Sequence, residues 1–433
     1  MEKFFKFKAH GTSLKREIVA GIIIFVSISY ILIVNPNVLS RTGMDSGAVF
    51  TATALVAALG SFLMGMLAKL PIALAPSLGA NTFFATTVVL GMGYSWQFAL
   101  TAVFLSGVIM ILLTLFNVRE KMLNSIPENI KKAIGVGIGL FIMFIGLNSA
   151  GIVISGGATP VALGDLSTPS VWIALLGLIV VAVLMQLKVN GAIIVGIVLS
   201  TVLAIVCGVT SLPQEGWVSM PPSIAPIFAQ FEWSEILKVD MLMVVFIFLF
   251  IGIFDTMGTL IGIAGKMGII TDDGKIPNVK KAMLADSITI TAGSVIGSSP
   301  ITTFVESSAG VAYGAKTGLP AIVVAVLMLV ALFFAPIISI VPMCAIAPAL
   351  IIVGFLMISS ITQIKFDDVL EGFPAFLTIV MMPFTYSIAD GIMFGIISYV
   401  LIKYLTGKWR SVSLTVLLIA IIMILKLIMA ILS

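Results

Sequence analysis

Charge is what this chain of 433 residues has least of. Only 10% of its residues are Asp, Glu, Lys or Arg, while 60% are hydrophobic. Soluble domains carry roughly 25% charged residues, so this composition excludes an ordinary soluble protein and points to a polytopic membrane protein. Histidine is nearly absent. The single copy, His10, lies in the N-terminal tail, which excludes a histidine-dependent catalytic triad inside the apolar runs. The two cysteines, Cys207 and Cys344, make no disulfide framework, and with one histidine they make no zinc site. No GxxxxGK[ST] run is present, so no ATP-driven step is expected within the chain and no cofactor is implied. The net charge of +4 comes from loop Lys and Arg and gives no reason to expect a nucleic-acid partner.

What the chain has instead is apolar runs, at 18–34, 48–68, 71–90, 97–116, 130–150, 170–188 and 190–210, then at 241–264, 280–297, 299–316, 319–342, 344–362, 370–388 and 389–405. The expected fold is an all-α polytopic membrane protein with about 14 transmembrane segments, seven plus seven. A further run, 412–432, contains Lys426 and is either a fifteenth span or a helix at the interface. The expected divisions are a first repeat over 1–210, a polar connection over 211–240, a second repeat over 241–410 and an extra C-terminal hydrophobic helix over 411–433. The N-terminus is basic and no small-residue cleavage site follows, so no cleavable signal peptide is expected and the first run is retained.

Threading the runs back and forth puts twenty of the 23 Lys and Arg on one side. Arg41 and Lys238 fall on the other side, and Lys426 lies inside the last run. The positive-inside rule makes the crowded side cytoplasmic, with the N-terminus in it. An odd number of spans per half makes the second half run inverted relative to the first.

Two spans are poor helices, and they hold the same place in each half. The third carries Pro71, Pro76 and Gly79; the tenth carries Gly297 and Pro300. Proline removes a donor and clashes with the preceding turn, so each is expected to be an extended piece followed by a half-helix. Broken spans at matching positions of inverted halves point to a transporter's central site.

Two carboxylates lie there. Asp255 sits within the apolar run that starts at Leu242, and Glu306 in the broken tenth span. An ionised group in hydrocarbon costs several kcal/mol, so each is expected to face a cavity and handle a proton, an ion or a polar substrate. The plainer reading of Asp255 is pairing with Thr256 or Thr259; that of Glu306 is a helix N-terminal carboxylate. Asn81, in the first broken span, either meets a heteroaromatic ligand with its amide or caps the half-helix. Thr82, Thr302, Thr303 and Ser307 are candidate lining groups that could equally satisfy local backbone. Asp286 is expected to support the irregular tenth span, and Asp390 to cap or snorkel near a span end. Phe83, Phe84 and Phe304 could stack on a planar ligand or belong to the core.

Asn35-Pro with Gly43-Met-Asp, Pro71-Ile-Ala-Leu-Ala-Pro with Gly79 and Asn81-Thr-Phe-Phe-Ala, and Gly93-Tyr-Ser-Trp-Gln together resemble the nucleobase–cation symporter-2 family, in its azaguanine-like branch of purine permeases. Phe254-Asp-Thr-Met-Gly-Thr-Leu, Leu284-Ala-Asp-Ser, Thr302-Thr-Phe-Val-Glu-Ser-Ser-Ala-Gly-Val-Ala, Pro374-Ala-Phe-Leu-Thr and Met382-Pro-Phe-Thr-Tyr-Ser-Ile-Ala-Asp-Gly-Ile extend the likeness over nearly the whole chain. The resemblance implies a 7+7 inverted repeat whose core domain (spans 1–4 and 8–11) moves against a gate domain (5–7 and 12–14), often in a dimer. It implies proton-coupled uptake of adenine, guanine or hypoxanthine across the plasma membrane. The family's substrate-binding acids fall on Asp255 and Glu306, and its polar third-span residue on Asn81. The branch usually reads Gly-Met-Gly-Leu-Asn-Ala where this chain has Ser77-Leu-Gly-Ala-Asn-Thr. Ser77 and Thr82 therefore replace smaller residues beside the expected pocket.

Two rival classes also fit parts of the sequence. A 7+7 carrier of small anions such as sulfate or bicarbonate would place its cargo against two acids. An intramembrane aspartyl protease built on Asp255 and Asp286 would need two carboxylates sharing a proton and would leave the matched broken spans unexplained.

Overall fold

The computed structural model describes residues 2–116, 127–156, 159–189, 191–212, 216–269 and 276–432. Arg119, Lys121 and Lys275, counted above on the basic side, lie outside them. Helices form where the apolar runs are uninterrupted, and hydroxyl or carboxylate side chains cap several starts. The first run is two helices, α1 (Leu14–Ile28) and α2 (Ile31–Leu39), rather than one. Helix α3 (Ser46–Leu63) starts on Asp45, whose carboxylate accepts the Ala48 N–H at 2.7 Å. The third span is β1 (Leu74–Pro76) followed by α4 (Leu78–Thr82), which runs on in wider π-helical turns over Phe83–Gly91. Then come α5 (Trp96–Leu115), α6 (Glu128–Ser149), α7 (Pro169–Gln186) and α8 (Ala192–Val206).

The second half repeats the plan. Helices α9 (Val239–Met267) and α10 (Val279–Ile296) lead into β2 (Ile301–Thr303) and the short α11 (Ser307–Tyr313). Next are α12 (Leu319–Ala331), α13 (Met343–Ile358), α14 (Val369–Phe384) and α15 (Ile388–Leu405). The run 412–432 forms α16 (Leu414–Leu432). Among the described residues, eight helical segments are long and apolar enough to cross a membrane, and Leu78–Gly91, Ala192–Val206 and Val369–Phe384 are shorter apolar helices.

The proline-broken spans have the expected form, and they find each other. Strand β1 pairs antiparallel with β2 in the register Leu74↔Thr303, Ala75↔Thr302 and Pro76↔Ile301. The ladder continues as the Ser77 N–H donates to the Pro300 carbonyl at 2.9 Å and the Phe304 N–H to the Ala73 carbonyl at 3.0 Å. Pairing satisfies backbone groups that proline excludes from a helix, as burial requires. Among the described residues the fold is thus all-helical apart from this ribbon and a two-residue pairing, Val153–Ile154 with Ala162–Leu163. Gly297 ends α10 at φ 96, and a Cβ there would strike Ile227 at 2.6 Å, so glycine is needed on both counts.

The helices pack in two groups. Helices α1, α3, α5, α9, α10 and α12 surround the ribbon and the two half-helices, while α6, α7, α8, α13, α14 and α15 pack mainly on one another. Within the second group α6 and α13 approach closely at Gly139 and Gly354; a Cβ on Gly139 would meet the Gly354 carbonyl at 2.8 Å. Trp172, Leu176, Ile179 and Val183 form an exposed apolar stripe along α7. A stripe of that kind suits lipid, which solvates apolar side chains as well as a core does.

Candidate functional site

Ser77 precedes α4 and caps it, its Oγ accepting the Ala80 N–H at 3.3 Å. The same Oγ donates to Asp255 Oδ2 at 2.8 Å. Asp255 lies in α9, next to the ribbon. The neighbouring Thr256 hydroxyl meets that of Thr302 at 3.3 Å, and Thr303 Oγ1 donates to the Thr256 carbonyl at 3.4 Å. Glu306 stands immediately before α11. Its Oε1 accepts a 2.8 Å hydrogen bond from Tyr30 Oη, and Tyr30 occupies the break between α1 and α2. Both residues are half-buried. Asp286 and Glu306 are close enough to Asp255 to act on it electrostatically. Asp286 itself is fully buried in α10, which packs on β2.

The other expected site residues lie in the scaffold around this pair. Asn81 is fully buried. Its Nδ2 donates to Asn35 Oδ1 at 2.5 Å, and its Oδ1 accepts from Ser299 Oγ. Asn35 Nδ2 in turn donates to Thr53 Oγ1 at 2.7 Å. This side-chain chain ties α2, α3, α4 and the approach to β2, so the Asn81 amide is engaged by the protein on both of its atoms. Ser307 is also fully buried, and its Oγ accepts the Ala73 N–H at 3.0 Å, linking the start of one half-helix to the strand of the other. Thr82 and Thr303 are buried as well. Phe83 and Phe84 are core residues packed on Phe248, with ring centroids 5.1 and 6.5 Å away. Phe304 leans on Tyr30 at 6.3 Å. Asp390 begins α15, its N–H donating to the capping Ser387 Oγ at 3.2 Å. His10 is exposed, and the two cysteines are free thiols.

Residue type alone does not mark Tyr30, Thr53 or Ser299. Only Asn35 carried a signal, as a polar residue just before a proline in an apolar run. One further buried carboxylate carries no signal in the sequence. Glu17, fully buried in the first turn of α1, accepts hydrogen bonds from the Lys316 and Thr317 N–H groups at 2.9 and 3.1 Å and from the Thr317 and Thr12 hydroxyls at 2.6 and 2.8 Å. It fastens α1 to the connection that follows α11.

Residues 15–394 match the model of a permease family. The chain is 42% identical to adenine permease AdeQ of Escherichia coli, over 99% of this chain and 96% of that one. It is 44% identical to guanine/hypoxanthine permease PbuG of Bacillus subtilis, over 95% and 96%. The fold is similar to the transmembrane domain of a cyanobacterium bicarbonate transporter, BicA, with TM-score 0.65 at 14% identity, covering 88% of this chain and 97% of that one. It is also similar to the murine solute carrier 26 family member A9 anion transporter, with TM-score 0.65 at 11% identity, covering 91% and 69%. Likeness at such low identity speaks for the architecture alone, while the sequence match runs nearly end to end. The chain therefore belongs to the nucleobase–cation symporter-2 family of permeases and is a multi-pass membrane transporter rather than an enzyme.

Proposed function

We propose that the protein is a proton-coupled importer of purine nucleobases, with adenine, guanine and hypoxanthine as the candidate substrates. The observation that carries this reading is the pair of half-buried carboxylates, Asp255 and Glu306, beside the ribbon that ties the two broken spans. A hydroxyl holds each carboxylate through one oxygen. An ionised carboxylate offers about four acceptor positions, so lone pairs remain for the ring N–H groups of a base. Glu306 takes a proton from outside, the base docks against both acids, and the two helix groups shift so that base and proton leave inside. In this scheme the ribbon-centred group is the core and the other group the gate. The chain crosses the plasma membrane fourteen times with its N-terminus in the cytoplasm, and it works in the lipid bilayer as a homodimer. Ser307, Thr303, Thr82 and the Asn81 network set the pocket's shape, and Asp286 braces α10 against β2.

The likeness to bicarbonate and other anion transporters favours an anion cargo by fold only. Two acids at the centre oppose an anion electrostatically, whereas the relatives named above are purine permeases. Uptake of radiolabelled adenine, guanine, hypoxanthine, xanthine and uracil in cells without their own carriers, with and without a protonophore, tests the reading. Protonophore-sensitive uptake of at least one purine is expected. No uptake of any base by well-expressed protein would discard it.

A further inference from the structure

The two helix groups meet around a cavity of about 290 Å³ that neither Asp255 nor Glu306 lines. One wall is the π-helical end of the third span, with Phe83, Thr86 and Thr87, together with α9. The opposite wall is the turn Thr385–Ser387 and Asp390. The third span joins this cavity to the carboxylate pair, because α4 begins on Ser77, which holds Asp255, and its continuation ends on the cavity.

The volume lies near the lower end of small-molecule pockets, roughly 300 Å³. Its polar groups are mainly acceptors, with the Tyr386 and Ser387 hydroxyls able to donate. Thr86 Oγ1 donates to the Thr82 carbonyl and Thr385 Oγ1 to the Met381 carbonyl, both at 2.7 Å. With their hydrogens committed, these hydroxyls have only lone pairs to offer. The Asp390 carboxylate adds further acceptors. The buried Thr87 hydroxyl, also on this wall, has no hydrogen-bond partner among the described residues. Tyr386 supplies exposed aromatic surface. Tyr386 is held at φ 55, a conformation bulky residues rarely adopt, and its ring packs edge-on against Phe141 and Phe144 at 5.4 and 5.9 Å. An acceptor-rich wall beside the Tyr386 ring suits a planar, uncharged heterocycle that presents several N–H donors.

We propose that this cavity is a second, separate binding place for a nucleobase, occupied before the base reaches Asp255 and Glu306, and that Asp390 and Thr86 govern which N–H patterns it admits. The proposal rests on the purine reading above. Because its walls belong to different helix groups, a shift of one group against the other reshapes the cavity, so its occupancy belongs to one conformation of the cycle.

Equilibrium dialysis of radiolabelled adenine, guanine and hypoxanthine against the purified full-length protein tests it, with three further variants: D255N/E306Q, and that pair combined with Asp390→Asn or with Thr86→Val. Unfolding temperatures confirm that each variant is folded. The carboxylate double variant is expected to keep a weaker, saturable binding of at least one base. Asp390→Asn then weakens it about tenfold, as loss of one charged acceptor would. Binding by the unmodified protein but none by the double variant overturns the second site and leaves the purine reading standing. Residual binding that neither Asp390→Asn nor Thr86→Val changes also overturns it. No binding of any of the three bases by folded unmodified protein overturns both.

Discussion

Tyr30 and Glu306 stand 276 positions apart in the chain and share a 2.8 Å hydrogen bond in the structure, phenol to carboxylate. The bond joins the break in the first span to the start of the half-helix in the second broken span. It places a fully buried phenol where it sets the direction in which Glu306 points.

Tyr30→Phe removes that donor without removing the ring. A hydrogen bond to a charged group is worth about 1.5–3 kcal/mol, so purine uptake should fall about tenfold or more. In a Glu306→Gln background the same change should lower the unfolding temperature less than it does in the unmodified protein, because the interaction it removes is already altered. Equal losses in both backgrounds would show that Tyr30 acts through packing alone.

Ser77 holds Asp255 and caps α4 at once. Ser77→Ala should therefore lower uptake and also lower the unfolding temperature, since a lost cap costs about 1 kcal/mol. Ser77→Gly restores the residue usual in the azaguanine-like branch and keeps most of the capping energy. It should change the relative uptake of adenine, guanine and hypoxanthine more than it changes stability. An unchanged preference would separate Ser77 from substrate choice.

The Asn35–Asn81 pair is expected to act on stability. Asn35→Leu leaves the Asn81 Nδ2 without its acceptor in a dry interior, at about 1–3 kcal/mol, while the Thr53 hydroxyl keeps its bond to the Val49 carbonyl. A clear drop in unfolding temperature in detergent is predicted. A stable Asn35→Leu protein that has lost purine binding would instead assign the pair to the ligand.

Much of this site was legible in the residues, and the reasons it was not all legible are physical. Pro36, Pro348, Pro374 and Pro383 lie inside helices, but Pro71 with Pro76, and Pro300 after Gly297, fall at helix ends, so the extended pieces could be read locally, and two acids in apolar runs announce themselves by what their burial costs. The pairing of Leu74 with Thr303 could not be read that way, because it joins segments more than two hundred positions apart whose short strands have no periodicity of their own. Glu17 follows two basic residues near the N-terminus and looks like a solvated charge. Only the fold brings Thr317 onto it. Asn81 shows the limit of residue type: an amide beside a broken span suits a ligand as well as it suits a buried network.

A pH effect is expected away from the carboxylate pair. Tyr94, in the turn between the third and fourth spans, donates to Asp240 Oδ2 at 2.6 Å. That bond first, then burial and the charges of Asp240 and Glu235, push its phenol up to about 12, against about 10 when unfolded. Because the folded value is the higher one, the stabilisation is fully present below about pH 10 and is lost as pH rises toward the folded value. Unfolding temperatures taken from neutral pH upward should show an alkaline loss that is smaller in Tyr94→Phe. The same loss in both proteins would contradict the assignment.

The most direct test of the central claim reconstitutes the protein in liposomes with an imposed inward proton gradient and follows radiolabelled purine together with internal pH. The unmodified protein should concentrate at least one purine and carry protons with it, and both fluxes should disappear in Asp255→Asn and Glu306→Gln. Purine accumulation that ignores the gradient, or that survives in Glu306→Gln with its proton flux intact, would contradict the account.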